Sequence, residues 1–304
     1  MAADAPAETR LEVSAAELRH WRRDQLRLGG TQAEVDWLLQ LKGGVSWHTL
    51  QRLALQPDAL VALQVPLEDL EQLWRRHQGT HEPLQYLVGR CPWRDLELEV
   101  GPGVLIPRQE TELLVELAVD LATEAGFSDG PSLWADLGTG SGCLALALAQ
   151  VWRASQGFAI DLSEAALTQA HHNLERHGLI KQITVLQGSW WEPLRPHWGA
   201  LQLVVANPPY IPERVWATLD PVVRMHEPKL ALSGGEDGLR DIRAIGADAA
   251  AALAPGGLLL LEHHHDQSAA VLSLLAGAGL NTIRAHRDLE GKQRFVSARA
   301  PFTP

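Results

Sequence analysis

Cysteine is almost missing: 304 residues hold two, Cys91 and Cys143. They lie far apart and match no metal-ligand spacing, so a disulfide framework and a thiolate metal centre are both excluded, and free thiols in a reducing compartment are expected. Long apolar runs are missing too. The run in "GGLLLLE" is far too short to cross a bilayer, and the opening "MAADAPAETR" has no basic segment followed by an apolar one. Neither a membrane span nor a secretory leader is expected, and the chain reads as cytoplasmic. Positive charge is in deficit, with 26 Lys and Arg against 37 Asp and Glu and a formal net charge of -11. Proteins that hold nucleic acid by neutralising phosphates need clustered Lys and Arg, so nucleic acid is a disfavoured partner.

What is present falls into three parts, consistent with a length above that of one average domain. Residues 1–82 read as a small helical domain. "SAAE" and "TQAE" each place a Ser or Thr three positions ahead of a Glu, the capping-box spacing, at Ser14/Glu17 and Thr31/Glu34. Leu18, Trp21 and Leu28 after the first box, and Val35, Leu38 and Leu39 after the second, recur at near-helical spacing. "GGVSWHTLQRLAL" and "VPLEDLEQLWRRHQG" add two short helices, the latter opened by Pro66. Residues 83–107 change character: Leu96, Leu98 and Val100 alternate with Glu97 and Glu99, which predicts a β-hairpin joining two domains. From 108 to 304, seven strand-like runs ("SLWADL", "GFAID", "QITVLQ", "LQLVVAN", "GGLLLLE", "NTIRAH", "RFVSARA") alternate with helical stretches. That alternation predicts an α/β fold with a mostly parallel sheet and helices on both faces.

Two features of the third part point to a nucleoside ligand. "WADLGTGSGCLALALA" runs strand, glycine-rich turn and helix together, so Gly138, Gly140 and Gly142 let the backbone pass close to a ligand at an electropositive helix end. No Gly-Lys-Ser/Thr follows, which excludes a phosphate cradle of the P-loop kind. Asp161 ends the next strand about twenty residues on, where a carboxylate can accept from both hydroxyls of a ribose. Ser163 is the better cap for the helix that follows. These features leave NAD and S-adenosylmethionine both open.

The segment "LQLVVANPPYIPE" narrows the choice. Pro208 and Pro209 end the strand at Asn207 and hold the next residues on a fixed path. With "DLGTGSG" upstream, "NPPY" resembles the S-adenosylmethionine-dependent methyltransferases that alkylate planar amide or amino nitrogens. The lone pair of such a nitrogen is delocalised. The Asn207 side-chain oxygen and the Pro208 carbonyl, aimed at its hydrogens, would orient the group and help the lone pair localise, while Tyr210 stacks on the flat target.

Taken together, "PLQYLVG", "VLIPRQETELLVE", "DLGTGSG", "NPPYIP", "EPKLALSGGEDGL" and "LLLLE" resemble the PrmC/HemK family, the protein-(glutamine N5) methyltransferases of peptide chain release factors. The resemblance covers roughly residues 10 to 300. It implies a class I, Rossmann-like methyltransferase domain with a seven-stranded sheet, at residues 108–304, behind a helical domain that grips the release factor. It implies S-adenosyl-L-methionine as cofactor and, as substrate, the glutamine of the Gly-Gly-Gln motif of class 1 release factors. By position, Gly138, Thr139, Gly140, Ser141, Gly142, Asp161, Trp190 and Asn207 match the family's cofactor contacts. Asn207, Pro208, Pro209 and Tyr210 match its catalytic substrate clamp.

Three positions depart from the family's pattern: Gln109 where Pro is usual, Ser189 where an acidic residue often precedes the aromatic, and His264 where Gly is common. The adjacent His263, His264 and His265 invite a metal reading, but successive strand residues point to opposite faces, and no metal is expected. Glu262 reads as a fold-stabilising carboxylate. Arg108, Glu110, Thr111 and Glu112 read equally well as a helix entry and as the lining of a substrate channel. Two rivals stand beside the family reading. An amino-methyltransferase of adenine or cytosine in DNA or RNA shares the clamp but needs a phosphate-binding surface that the acidic chain does not offer. A non-catalytic module that keeps the cofactor fold is disfavoured by the intact glycines, Asp161 and clamp.

Overall fold

The computed structural model describes residues 11–127 and 129–302, so the opening "MAADAPAETR" lies outside the described residues. The chain divides after Arg90 into two compact units.

The first unit contains β1 (Glu12–Ser14), α1 (Ala15–Leu28), α2 (Gln32–Leu41), α3 (Trp47–Arg52), β2 (Leu60–Ala62), α4 (Leu67–Thr80) and α5 (Leu84–Val88). Both capping boxes form. The Ser14 N–H donates to Glu17 Oε2 at 2.8 Å and the Glu17 N–H to Ser14 Oγ at 3.2 Å; the Thr31/Glu34 pair repeats this at 2.7 and 3.3 Å. The periodic residues Leu18, Trp21, Val35, Leu38 and Leu39 pack into one core with Leu70 and Trp74. Burying each such side chain contributes roughly 1.5–3 kcal/mol. Leu28 is different. It sits on the last turn of α1 and is 44% exposed, although its spacing from Trp21 and Gln25 places it on the same helix face. The antiparallel pair β1–β2, with Val13 opposite Val61, has no counterpart in the sequence reading, since three-residue strands are too short to show a period. Leu84–Val88, within the segment predicted as a hairpin, is instead a single helical turn between Pro83 and Gly89, whose φ of 76° closes it.

A two-stranded hairpin follows, β3 (Arg90–Trp93) with β4 (Leu96–Glu99). The second unit then runs α6 (Glu112–Glu124), β5 (Leu133–Leu137), α7 (Cys143–Val151), β6 (Gln156–Asp161), α8 (Glu164–Arg176), β7 (Ile183–Gln187) and β8 (Leu201–Ala206). It continues with α9 (Pro221–His226), α10 (Arg240–Ala252), β9 (Leu253–Glu262), α11 (Ser268–Gly277), β10 (Asn281–Arg287) and β11 (Gln293–Arg299). All seven predicted strands enter one sheet, in the order β10-β11-β9-β8-β5-β6-β7. Neighbours from β9 to β7 pair in parallel, and β11 runs antiparallel between β9 and β10. β9 begins at Leu253, earlier than the run "GGLLLLE" suggests, and the extra residues lie in an irregular stretch of β9 itself, where the register with β8 shifts from Leu201–Leu253 to Leu203–Leu258.

The topology fixes where a ligand goes. The chain leaves β5 toward β6 and β7, then returns to the other side of β5 with β8. That reversal opens a crevice at the carboxyl ends of the strands, the place where open α/β sheets bind ligands. Gly138, Asp161, Asn207 and Glu262 all stand at or just past those ends. Under the crevice the packing is close. Trp134 on β5 is fully buried against Gly157 of β6, where an added Cβ would lie 2.3 Å from the indole.

Candidate active site

After β5 the backbone turns sharply, and the N–H groups of Gly138 and Thr139 both donate to the Ile160 carbonyl of β6 at 2.8 Å. Gly138, Gly140 and Gly142 have φ of 77°, 57° and 84°, left-handed values that side chains rarely adopt. The three glycines do different work. A Cβ on Gly140 would meet nothing within 4 Å, so that backbone is open to a ligand; one on Gly142 would lie 3.2 Å from Ala170 of α8, so that glycine serves the packing of α7 against α8. Thr139 and Ser141 are buried behind the turn, and Thr139 Oγ1 donates to Asp136 Oδ2 at 2.6 Å. Burial raises the Asp136 carboxyl to about 7, although the Thr139 bond works in the opposite direction.

Asp161 Oδ2 accepts the Gly140 N–H at 2.9 Å, and its Oδ1 accepts the Ser163 N–H at 2.9 Å. Ser163 caps α8, accepting from the Ala166 N–H at 3.3 Å, as its sequence position predicts. Desolvation pushes the Asp161 carboxyl up, and these backbone donors hold it back. Trp190 has a φ of 47°, a backbone conformation uncommon outside glycine. It sets the indole over Gly138, where an added Cβ would stand 3.2 Å from Cζ3.

A cavity of about 360 Å³ joins these parts. Gly138, Gly140, Asp161, Ser189, Trp190, Asn207 and Pro209 line it, with Val104, Leu105 and Leu230 closing the apolar side. Of the residues singled out in the sequence, Thr139, Ser141, Gly142, Pro208 and Tyr210 are not in this lining; they flank it.

The clamp segment is held along its length. The Ile211 N–H donates to the Leu232 carbonyl and the Gly234 N–H to the Ile211 carbonyl, both at 2.9 Å, while Gln267 Nε2 donates to the Tyr210 carbonyl at 3.0 Å. The "LALSGGEDGL" segment therefore runs as a rail beside "NPPYIP". A side-chain network then joins its two ends. Asn207 Nδ2 donates to Thr111 Oγ1 at 2.9 Å, Thr111 Oγ1 donates to Glu262 Oε2 at 2.7 Å, and the Tyr210 hydroxyl donates to Glu262 Oε1 at 3.1 Å. Glu262 is fully buried and its carboxyl is raised to about 7, with desolvation outweighing the two donors and the Arg294 charge. Burial and the neighbouring Glu262 charge push the Tyr210 phenol up.

Sequence reasoning missed this network. Thr111 occupies the N-cap position of α6, yet its side chain makes no cap bond and is spent on Glu262 instead. Arg108 also has a structural partner: its Nη2 lies 2.6 Å from Glu227 Oε1, whose second oxygen accepts the Ile106 N–H at 3.2 Å. His263 is buried with Nδ1 against the His264 carbonyl, and His264 Nδ1 pairs with Asp266 at 2.6 Å. Among the described residues no group of three or more His, Cys, Asp or Glu is placed to hold a metal, and no helix is long and apolar enough to cross a membrane.

A parallel sheet with one antiparallel strand near its edge, a glycine turn after β5, an acid at the end of β6 and Asn-Pro-Pro-Tyr after β8 define a class I methyltransferase. Residues 135–229 match a family described as "Methyltransferase domain". The solved hMettl16 catalytic domain, in complex with MAT2A 3'UTR hairpin 6, shares the fold at a TM-score of 0.53 and 13% identity, over 78% of this chain and 81% of that one. Two relatives are much nearer. The release factor glutamine methyltransferase of Prochlorococcus marinus is 46% identical over 288 residues, covering 95% of this chain and 98% of its own. That of Gloeobacter violaceus is 44% identical over 265 residues, covering 87% and 89%. The chain belongs to the release factor glutamine methyltransferase family.

Proposed function

We propose that the protein methylates the side-chain amide nitrogen (N5) of the glutamine in the Gly-Gly-Gln motif of class 1 peptide chain release factors, in the cytoplasm, and so modulates translation termination. One observation carries this reading: Asn207 and Pro209 of the clamp line the same cavity as Gly140, Asp161 and Trp190. A nucleoside-binding surface and an amide-orienting surface therefore share one space.

The cofactor of this reading is S-adenosyl-L-methionine, and the residues present suit it. The open backbone at Gly140, the Asp161 carboxylate and the Trp190 indole offer a close approach, an acceptor for ribose hydroxyls and a flat apolar face for adenine. When bound, it supplies a sulfonium methyl group that the amide nitrogen takes in line, the carbon–sulfur electron pair going to sulfur and one amide proton to water. Asn207 accepts from the target NH2, the proline-fixed backbone at 208 offers a second acceptor, and Tyr210 covers the amide plane. Together these restrict the nitrogen to the geometry of attack, and no general base is needed.

Residues 1–82 would grip the release factor, residues 83–107 would link, and residues 108–304 would carry the chemistry. The net charge of -11 suits a protein substrate better than a nucleic acid. The test is transfer from labelled S-adenosylmethionine to a purified class 1 release factor and to its variant with Ala for the motif glutamine. Label on the first and none on the second is expected. Label on DNA or RNA with none on either protein would make the clamp a nucleobase site and overturn the assignment.

A further inference from the structure

We infer that Thr111 and Glu262 are positioning residues that fix which way the Asn207 carboxamide faces, and so make the site select a group that presents N–H donors. The inference rests on the amide-methylation reading above and deepens it.

A carboxamide has one end that donates and one that accepts, of nearly equal size, and shape alone does not decide which end faces a ligand. Asn207 lines the cavity, so the outcome decides what the cavity can hold. The Thr111 hydroxyl has a single proton, and when Glu262 is ionised, above its raised value of about 7, that proton is committed to Glu262 Oε2 at 2.7 Å. Toward Asn207, at 2.9 Å, Thr111 Oγ1 can then only accept. Asn207 must turn its NH2 to Thr111, and the planar group turns its carbonyl oxygen the other way. The Tyr210 hydroxyl takes the second Glu262 oxygen at 3.1 Å, so one buried carboxylate orders both ends of the Asn-Pro-Pro-Tyr segment.

With the carbonyl oxygen as its free end, Asn207 accepts from an amide NH2 and repels a carbonyl. Without the Thr111 hydroxyl the carboxamide has no preferred face. Half-turned, it would present N–H to N–H and disfavour the reactive pose, while shape and apolar contacts stay unchanged.

The experiment compares Thr111→Val, which keeps the shape and removes the hydroxyl, with Thr111→Ser, which keeps the hydroxyl. Wild-type enzyme on a purified class 1 release factor is the reference. Losing a partner that orients a functional side chain costs on the order of 10- to 100-fold in activity. We expect Thr111→Val to lose that much in kcat, with the KM for release factor and the Kd for S-adenosylmethionine within about threefold of wild type. Thr111→Ser should recover to within about threefold. A second readout needs no turnover. The chain contains three asparagines, Asn173, Asn207 and Asn281. In 15N-asparagine-labelled protein the Asn207 NH2 should exchange slowly in wild type and Thr111→Ser, and faster in Thr111→Val.

Unchanged kcat and unchanged exchange in Thr111→Val would overturn the inference. So would a loss that Thr111→Ser fails to recover, or one matched by an equal loss of cofactor affinity, since either would mean a packing role. If wild-type enzyme leaves the release factor unlabelled, the functional reading falls instead; the exchange readout still judges the orientation.

Discussion

The Asp161 carboxylate bridges two backbone N–H groups, Gly140 at 2.9 Å through Oδ2 and Ser163 at 2.9 Å through Oδ1. One side chain thus ties the end of β6 to the glycine turn and to the start of α8, and Asp161 also lines the cavity. Asp161→Asn would put an NH2 group against one of those N–H donors and remove the charge. A hydrogen bond to a charged group contributes about 1.5–3 kcal/mol, which predicts roughly 10- to 100-fold weaker S-adenosylmethionine binding. Titration calorimetry checks this; an affinity within twofold of wild type would mean that the carboxylate serves the turn alone.

Asn207→Ala separates the two surfaces of the cavity. Its amide is anchored on Thr111 and not on the glycine turn. Losing one preorganised group at a reacting centre costs about 10²- to 10³-fold in kcat. Transfer should fall by that factor with cofactor affinity kept within a few-fold. Joint loss of binding and transfer would show that Asn207 chiefly builds the cofactor surface.

Trp190 offers its ring at a backbone cost, since φ is 47°. Stacking of a base on an aromatic side chain contributes about 1–3 kcal/mol, so Trp190→Ala should weaken cofactor binding roughly 5- to 150-fold. Trp190→Phe should retain most of the affinity. Equal losses in the two variants would point to the backbone conformation and not to the ring.

Asp136 predicts a pH signature in stability. Its carboxyl is at about 7 in the folded protein against 3.8 as the ordinary value, so the folded state binds the proton more tightly than the unfolded chain. Stability from this group is present below the ordinary value and is lost as pH rises through about 7. The gap between wild type and Asp136→Asn, measured by urea unfolding, should shift by at least about 1 kcal/mol against wild type between pH 4 and pH 7.5. A gap that does not change with pH would mean that Asp136 titrates at an ordinary value.

The sheet, the glycine turn and the clamp were legible because each is local: a run of apolar residues, three glycines in five positions, two consecutive prolines. The link between Thr111 and Glu262 was not, because 151 residues separate them. It depends on β8 pairing with β9 so that Ala206 stands opposite Leu261, which brings Asn207 and Glu262 to neighbouring strand ends. Sequence reasoning took Glu262 as structural and left Thr111 between two roles. The short β1–β2 pair escaped for a different reason, since three residues carry no period.

Gly234 shows what the "LALSGGEDGL" segment does for the clamp. Its φ is not left-handed, so the glycine is there for space. An added Cβ would lie 2.6 Å from the Pro209 carbonyl and 2.6 Å from the Gly238 carbonyl, both backbone atoms that cannot swing aside. Gly234→Ala must therefore push the rail off the clamp, at about 1–3 kcal/mol of stability for an overpacked site. Because a shift of about 1 Å in a positioned group can cost on the order of 100-fold, kcat should fall well beyond what the lost stability explains. S-adenosylmethionine affinity should hold, since the glycine turn after β5 lies on other strands. Gly277→Ala is the control. It closes α11 with nothing within 4 Å of the new methyl, and a helical Gly-to-Ala change should stabilise by about 0.5–1 kcal/mol. If Gly234→Ala keeps wild-type kcat while melting lower, the rail supports the fold but does not hold the Asn-Pro-Pro-Tyr segment in its working position.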